Sequence, residues 1–319
     1  MSSNVDAEQP RAASKWRLLA LQVVLTLAAF AYLLHISNLR ALSRAFGEVP
    51  LWTVPSTVLT LLAVMFAGAL RWRLLLTAYG ARTTPPIQDL FRLQLIGLFY
   101  NMMPGAVGGD VLRGVVSRRA FGAQGMSAGL AVVLVERVFG LIALMLLVVG
   151  VLAVHPIRSL QLAPWVFVVG LSGSLGTLAA IALGRRIAPR LPASLAARAA
   201  TLPELSNPTA FALALAVSVV NQALVGLMGH LAIWPLAHQV GILDSLVLSP
   251  LAFAAIFFPL TVAGAGTRDA AMVALYALVD VPRENALSAS LEVLLAYGLV
   301  AALGGILSLL TPLRSRDTA

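Results

Sequence analysis

The residues best suited to chemistry lie in a glycine-rich segment that starts at Asn101 and ends at Arg113. Glycines let a backbone approach a ligand closely, and the N-terminus of the following helix presents unpaired N–H groups at the positive end of its dipole. Such an end suits a phosphate, which the planar guanidinium of Arg113 could also contact. The predicted binding residues are Asn101, Pro104, Gly105, Gly108, Gly109, Asp110 and Arg113. Alternatively, the glycines only permit a tight turn, and Arg113 pairs with Asp110.

A second segment, residues 259–269, has the same order of features: a proline, then glycines, then the start of a helix. Proline ends one short helix, the glycines make a turn, and Thr267 is expected to cap the next helix. Arg268 offers a cation near the first turn of that helix. The predicted binding residues of this segment are Gly264, Gly266, Thr267, Arg268 and Asp269.

Two adjacent charged residues, Glu136 and Arg137, lie about ten residues into an apolar run that starts at Ser127. Neighbours on a helix point roughly 100° apart, so each should find its partner on another element. Arg113 or Arg268 is the expected partner of Glu136. Charges at this depth cost about 2.5–3.5 kcal/mol on insertion scales and are usually functional. The pair therefore predicts either an ion-pair network or a proton-exchanging carboxylate.

The other polar residues within apolar runs have simpler interpretations. Glu292 is expected at the outer interface of the last apolar run. Polar side chains such as those of Asn221, Gln222 and His230 usually hold helices together. The sequence Arg71-Trp72-Arg73 is typical of a belt at the membrane interface.

Several classes of enzyme and metal protein are disfavoured. The chain has no cysteine, and its four histidines are scattered without a metal-ligand spacing. No nucleophile elbow or P-loop is present. Asp110 and Asp269 could formally supply an aspartyl protease, but an arginine near each would hold both ionised when a shared proton is required. The sequence predicts no catalytic residue, cofactor or metal, and hence no enzyme.

The composition is that of an integral membrane protein. Of the 319 residues, 60% are hydrophobic and 11% are charged, and the formal net charge is +9. So few charged side chains cannot cover a soluble surface of this size. The basic residues flank apolar runs, which indicates anionic lipid as the partner and argues against nucleic acid.

Six apolar runs are long enough to cross a membrane, which requires about 20 residues. They are Leu18–Ile36, Leu51–Leu70, Ser127–Val154, Pro164–Leu183, Thr209–Pro235 and Ala286–Leu310. The basic residues of the N-terminal tail place that end in the cytoplasm, and the count of crossings returns the C-terminus to the same side.

Two further apolar segments are broken by proline and glycine before they are long enough to cross. We interpret residues 88–122 and residues 245–279 as re-entrant helical hairpins. The alternative is eight plain transmembrane helices, two of them short and kinked.

The order of span, span, hairpin and span occurs twice, and three crossings in each half require the second half to be inverted. The predicted organisation is a cytoplasmic tail at 1–17, a first membrane repeat at 18–154, an inverted second repeat at 155–311 and a cytoplasmic tail at 312–319. The predicted fold class is an all-α polytopic membrane protein with about six transmembrane helices and two re-entrant hairpins. Inverted repeats with broken helices are a transporter architecture.

A set of short motifs is spread along the chain: Arg71, Arg73-Leu-Leu-Leu, Gly80, Gly97-Leu-Phe-Tyr-Asn101, Pro104-Gly105, Gly108-Gly109-Asp110-Val-Leu-Arg113 and Glu136-Arg137. With these motifs the chain resembles the lysylphosphatidylglycerol synthase transmembrane family, whose members are flippase-like. The resemblance covers roughly residues 16–312. At the second tip the family often has Gly-Gly-x-Gly followed by Arg-Glu, whereas this chain has Ala263-Gly264-Ala265-Gly266-Thr267-Arg268-Asp269. Gly140 also stands where an acidic residue often follows Glu-Arg.

The resemblance implies translocation of a lipid with an anionic or aminoacylated head group, or of a polyprenyl-phosphate lipid, in the bacterial inner membrane. Full synthases carry a soluble aminoacyl-transferase domain, for which the seven residues after Pro312 leave no room, so synthase activity is not expected. Two alternatives stay open: a scaffold for a lipid-modifying enzyme that transports nothing, and an intramembrane enzyme acting on a lipid phosphate. The partners considered are an anionic membrane lipid, a lipid-modifying enzyme and a second copy of the chain.

Overall fold

The structure is a computed structural model that describes residues 23–29, 31–102, 113–114, 117, 120–121, 125–157, 164–190, 192, 205–255 and 264–310. These residues form helices and short connections, and no strand occurs among them. The helices are α1 Val23–Ile36, α2 Leu39–Gly47, α3 Thr53–Ala78, α4 Ile87–Met102, α5 Gly125–Val154, α6 Pro164–Ile187, α7 Pro208–Ile233, α8 Ile242–Ala254, α9 Thr267–Tyr276 and α10 Arg283–Leu310. Two short 3₁₀ helices, Ala188–Arg190 and Ala277–Val279, follow α6 and α9.

Within these described parts, four helices are long and apolar enough to cross a membrane: α3, residues 132–154 of α5, α7 and α10. A fifth candidate is the pair α1 and α2, which meet at a bend of 95°. Helix α6 has 24 residues, or about 36 Å of helix. The predicted fold class, an all-α polytopic membrane protein, is confirmed.

One predicted span ends too early. The run Leu51–Leu70 was bounded by the first arginine, but α3 continues through Arg71 and Arg73 to Ala78. Its last turns are buried in the protein, where Trp72, Leu75 and Leu76 pack into a core. The helix therefore carries its first arginine inside the bundle, because protein packing extends beyond the apolar run.

The second predicted hairpin consists of two short helices that pack against each other, α8 and α9. Their 13 and 10 residues correspond to about 20 and 15 Å, well short of about 30 Å of hydrocarbon. Helix α8 begins three residues before the predicted Ser245, because the Asp244 carboxylate accepts a hydrogen bond from the Gly241 N–H at 2.9 Å. Gly264 and Gly266, with φ of 75° and 90°, make the turn that precedes α9.

The first predicted hairpin is described in part. Helix α4 has 16 residues, or about 24 Å, which is again short for a crossing. The tip, residues 103–112, lies outside the described residues. Beyond it, the Arg82 N–H donates to the Ala120 carbonyl at 2.8 Å, so the chain returns to the end of the bundle at which α4 begins.

Hydrogen bonds between connections join the segments at each end of the bundle. At one end, the Ser206 N–H donates to the Ala78 carbonyl at 2.9 Å. At the other end, His155 Nε2 lies 2.9 Å from Asp244 Oδ1, and Arg283 Nη1 donates to the Ile36 carbonyl at 2.7 Å. These two groups of segments are the ones that the crossing count assigns to opposite sides of the membrane.

Several helix contacts join the two predicted halves of the chain. Helices α3 and α7, the second spans of these halves, make the most extensive contact. Helix α4, from the first predicted hairpin, packs on α10, the last span of the second half, and α8, from the second hairpin, packs on α5, the last span of the first half. Helix α8 also packs on α7 of its own half. Helices of both predicted hairpins therefore contact the last span of the other half.

Candidate functional site

A cavity of about 240 Å³ opens among α3, α4, α5, α7, α8 and α10. Four charged side chains line it, three of them arginines. The fourth is the only carboxylate among the described residues of the lining. These residues are Arg71, Arg113, Arg137 and Glu136. The lining therefore carries a formal excess of two positive charges.

Glu136 is the centre of the charged cluster. Its side chain is 2% exposed. Arg71 Nη2 donates to Glu136 Oε1 at 2.8 Å, and Arg113 Nη1 lies 3.2 and 3.3 Å from the two carboxylate oxygens. The predicted partner Arg113 is therefore present, Arg71 is an additional one, and the structure shows an ion-pair network at this carboxylate. Two arginines stabilise the ionised form, which disfavours Glu136 as a proton carrier.

The predicted interfacial belt at residues 71–73 is wrong for two of its three members. Trp72 is fully buried, and its indole N–H donates to Ser117 Oγ at 3.0 Å. The guanidinium carbon of Arg113 lies 5.8 Å from the centroid of the Trp72 ring, a cation–π distance. Arg71 faces the cavity, and only Arg73 is exposed. The helix turns successive side chains by about 100°, so a sequence triplet cannot share one face.

Amide side chains from two further helices complete the polar lining. Asn221 Nδ2 donates to the Val64 carbonyl on α3, and Gln222 Nε2 to the Gly140 carbonyl on α5, both at 2.8 Å. Both residues therefore join helices, as predicted, and they also line the cavity. Gln94 on α4 is 3% exposed, and its Nε2 has no hydrogen-bond partner among the described residues. Gln94 is thus a buried donor next to the cavity, which sequence reasoning missed.

The two predicted anchors for phosphate do not lie in one place. Asn101 and Arg113 line the cavity, whereas Arg268 does not. Arg268 is 1% exposed, and its guanidinium carbon lies 5.3 Å from the ring centroid of Phe253 and 5.8 Å from that of Tyr297. Those two rings line the cavity, so Arg268 supports its wall from behind.

Arg268 forms a buried ion pair with the residue next to it. Its Nη2 donates to Asp269 Oδ1 at 2.6 Å and to the Ser290 carbonyl at 3.2 Å. The other oxygen of Asp269 accepts a hydrogen bond from the Gly266 N–H at 2.7 Å. Adjacent residues can pair here because Asp269 folds back over the start of α9. The geometry gives Arg268 and Asp269 a structural role, in place of the predicted contact with ligand.

The predicted cap of α9 is also different. Gly266 occupies the N-cap position, and Thr267 is the first helical residue. The Thr267 hydroxyl donates backwards to the Gly264 carbonyl at 3.2 Å. The carboxylate of Asp269 performs the capping that was assigned to Thr267, because it reaches the free N–H at the turn.

The remaining predicted residues have separate outcomes. Pro104, Gly105, Gly108, Gly109 and Asp110 lie outside the described residues. Arg137 lines the cavity beside Glu136. No group of three His, Asp or Glu side chains suited to a metal occurs in the described part of the chain.

Glu292 does not lie at the outer interface as expected. Its side chain is 1% exposed, at the contact between α10 and α3. The Thr57 hydroxyl donates to its Oε1 at 3.0 Å. A position near the end of an apolar run indicated a superficial residue, but α3 covers it.

The comparison with protein families agrees with this architecture. The family model for the lysylphosphatidylglycerol synthase TM region matches residues 18–315, which is nearly the whole chain. No curated protein matches the chain. The chain is a multi-pass integral membrane protein and belongs to the lysylphosphatidylglycerol synthase transmembrane-region family.

Proposed function

We propose that this protein moves a lipid with an anionic head group from one leaflet of the membrane to the other. The observation that carries the proposal is the cavity whose described lining contains Arg71, Arg113 and Arg137 and, as its one carboxylate, Glu136. A phosphate or phosphodiester placed there would neutralise the excess positive charge. The family to which the chain belongs is associated with lipid handling, which supports the same assignment.

The energetics favour a ligand over an empty structural network. Each arginine at membrane depth costs about 2.5–3.5 kcal/mol on insertion scales, and Arg71 and Arg113 share the one carboxylate of Glu136. A guanidinium recognises phosphate oxygens through paired N–H groups. Arg71 and Arg113 each bond to Glu136 through one terminal nitrogen, so each keeps further N–H groups for a phosphate. The unpartnered Nε2 of Gln94 adds a neutral donor to the same lining.

The other wall of the cavity suits the non-ionic part of a lipid. Leu98, Val225, Pro250, Phe253 and Tyr297 contribute apolar and aromatic surface opposite the charged cluster. An amphipathic ligand, with a phosphate at one side and glycerol or polyprenyl carbons at the other, matches this division. In this proposal the protein is a transporter rather than an enzyme, it resides in the bacterial inner membrane, and both termini are cytoplasmic.

A reconstituted transfer assay tests the proposal. Purified protein in liposomes receives a labelled lipid in one leaflet, and its appearance in the other leaflet is measured. The labelled probes are phosphatidylglycerol, lysyl-phosphatidylglycerol, a polyprenyl phosphate and, as the lipid without net charge, phosphatidylcholine. Wild type should accelerate transfer of at least one of the first three over phosphatidylcholine, and Arg113→Ala should lose most of that acceleration.

The matched control is Arg73→Ala, which removes an exposed arginine from the same helix that carries Arg71. This variant should transfer lipid as wild type does. Equal rates for all four lipids, or full activity in Arg113→Ala, would contradict an anion-selective site. Absence of transfer together with support of a partner enzyme would favour the scaffold, and release of inorganic phosphate from the polyprenyl lipid would favour an enzyme.

A further inference from the structure

A second buried carboxylate, Glu292 on α10, has an environment opposite to that of Glu136. It is 1% exposed and lies against α3, where Thr57 Oγ1 donates to its Oε1 at 3.0 Å. No arginine, lysine or histidine among the described residues forms an ion pair with it, whereas Glu136 has two arginines. Glu292 is therefore a buried carboxyl group to which the described part of the chain supplies no counter-charge.

Two polar atoms on this face of α10 have no hydrogen-bond partner among the described residues. One is Glu292 Oε2, and the other is the hydroxyl oxygen of Ser288, one helical turn earlier. Residues four apart on a helix lie on the same face, and Ser288 is itself fully buried. Buried polar groups are nearly always satisfied, so two unsatisfied atoms on the same face of α10 require a partner that the described residues do not supply.

The charged groups on neighbouring elements are engaged elsewhere or face away. On α9, Arg268 and Asp269 pair with each other and bond to Ser290, which is turned about 200° from Glu292 on α10. Five described helices pack against α10, and each carries titratable or charged side chains: Arg40 and Arg44 on α2; Arg71 and Arg73 on α3, with Tyr79 at its end; Asp89, Arg92 and Tyr100 on α4; His230 on α7; and Arg268, Asp269 and Tyr276 on α9. Helix α10 itself carries Arg283, Glu284 and Tyr297. Arg40 and Arg44 are exposed, Arg71 bonds to Glu136, and His230 lies 3.2 Å from Ser245 Oγ.

We propose that Glu292 is an exchangeable proton-binding site at the contact between α3 and α10. One proton from water adds to Oε2 and converts the carboxylate to a neutral acid, whose O–H then donates to the Ser288 hydroxyl oxygen. Release returns that proton to water, and no other bond forms or breaks. An isolated carboxylate in a medium of low dielectric carries a large desolvation cost, which a proton removes.

A proton fits this place better than a metal cation. Hard cations such as Na⁺ and Ca²⁺ require about six oxygen ligands. The Thr57 hydroxyl already gives its proton to Glu292, and Thr53 Oγ1 donates to the Pro50 carbonyl at 2.8 Å. Among the described residues of this face of α10, only Ser288 Oγ and Glu292 Oε2 are unsatisfied oxygens, which suits one shared proton.

The position of the site suggests what the proton does. Thr57 and Arg71, which contact Glu292 and Glu136 respectively, are 14 residues apart on α3, or about 21 Å along one helix. Helix α3 therefore connects the proton site at one end with the charged cavity at the other. Coupling of proton exchange to lipid movement rests on the proposed function, whereas proton binding by Glu292 does not.

The proton site is tested first without any transport measurement. Infrared difference spectra of purified protein in nanodiscs are recorded from acidic to alkaline pH. Wild type should show a carboxylic-acid carbonyl band that disappears as the pH rises, and Glu292→Gln should lack that band. The control Glu48→Gln removes an exposed carboxyl group after α2 and should retain it.

A second variant distinguishes loss of the Glu292 carboxyl group from misfolding of Glu292→Gln. Thr57→Val deletes the hydrogen bond to Oε1 and should shift the frequency of the same band without abolishing it. A band that does not change with pH, the absence of any acid band in wild type, or an unchanged band in Glu292→Gln would each overturn the proposal.

Coupling is tested separately in proteoliposomes with a pH gradient. Wild-type lipid transfer should change with the direction of the gradient, and Glu292→Gln should transfer lipid at a rate that the gradient does not alter. A wild-type rate of lipid transfer that is the same for either direction of the pH gradient would overturn coupling and leave the spectroscopic result for proton binding intact. If no lipid moves at all, the proposed function fails, while the spectra still decide on the proton site.

Discussion

At the scale of residues, the two buried glutamates have different roles because their neighbours differ. Glu136 shares its oxygens with Arg71 and Arg113 and fixes both guanidinium groups at the cavity. Glu292 has a hydroxyl on one oxygen and no cation among the described residues. Identical side chains therefore serve as an anchor for cations in one place and as a proton site in the other.

Removal of Arg71 tests the anchor. Arg71→Ala deletes a charge-assisted hydrogen bond to a buried carboxylate, and we expect it to lower the free energy of unfolding by about 1.5–3 kcal/mol. It should also weaken the selective transfer of anionic lipids. The neighbouring Arg73→Ala, on the exposed face, should change the free energy of unfolding by less than about 0.5 kcal/mol. Denaturant titration in micelles measures both variants, and equal effects would show that Arg71 is a surface residue.

The ion pair behind the cavity wall gives a second prediction. Asp269→Asn leaves the buried guanidinium of Arg268 without its carboxylate, and we expect a loss of about 3–5 kcal/mol in the free energy of unfolding. Asp280→Asn is the control: Asp280 has a φ of 58°, a conformation that asparagine adopts readily, and its stability should match wild type. A mild effect of Asp269→Asn in the same titration would mean that water replaces the carboxylate.

At the scale of elements, the short helices α4 and α8 depend on close contact with glycines of neighbouring helices. Helix α4 lies directly against Gly304 and Gly305 of α10, and α8 lies against Gly226 and Gly229 of α7. Small residues at such contacts let helices approach in a membrane, where no hydrophobic force drives them together. The short helices are therefore held by packing rather than by their own length.

Gly304→Ala tests this contact. An added Cβ would overlap the carbonyl oxygen of Leu95, which is backbone and cannot turn aside, so α4 must move away from α10. We expect a loss of roughly 1–3 kcal/mol in the free energy of unfolding. Gly298→Ala, on the same helix, has open space at its Cβ and should be neutral or slightly stabilising because alanine favours helix. Thermal unfolding in detergent compares the two, and equal midpoints would contradict the close contact.

At the scale of the whole molecule, the predicted inverted repeat requires the two ends of the bundle to lie on opposite sides of the membrane. The absence of cysteine from the chain makes single-cysteine labelling direct. Arg82→Cys should react with a membrane-impermeant reagent from the cytoplasm, and Glu48→Cys and His238→Cys from the outside; all three native residues are exposed. Labelling of Arg82→Cys and Glu48→Cys from the same side would contradict a crossing by α3, which lies between them.

Much of the fold could be predicted from the sequence because membrane insertion depends on local properties. Length and hydropathy located the helices that span, and proline and glycine located the break before α9. A cationic partner for Glu136, either Arg113 or Arg268, was predicted because charge in an apolar run needs a counter-charge, and the structure shows Arg113. The end of α3 was wrong, since a run of hydropathy stops at the first arginine even where the helix continues inside protein.

The sequence by itself determined that this is a polytopic helical membrane protein with broken helices and with charged residues inside apolar runs, because those properties follow from composition and order along the chain. Only the tertiary structure decided which charges meet. It placed Arg71 on Glu136, turned Arg268 towards its neighbour Asp269 and left Glu292 without a cation among the described residues. The physical reason is that Coulomb energy in a low dielectric depends on distances of a few ångströms between helices that lie far apart in sequence.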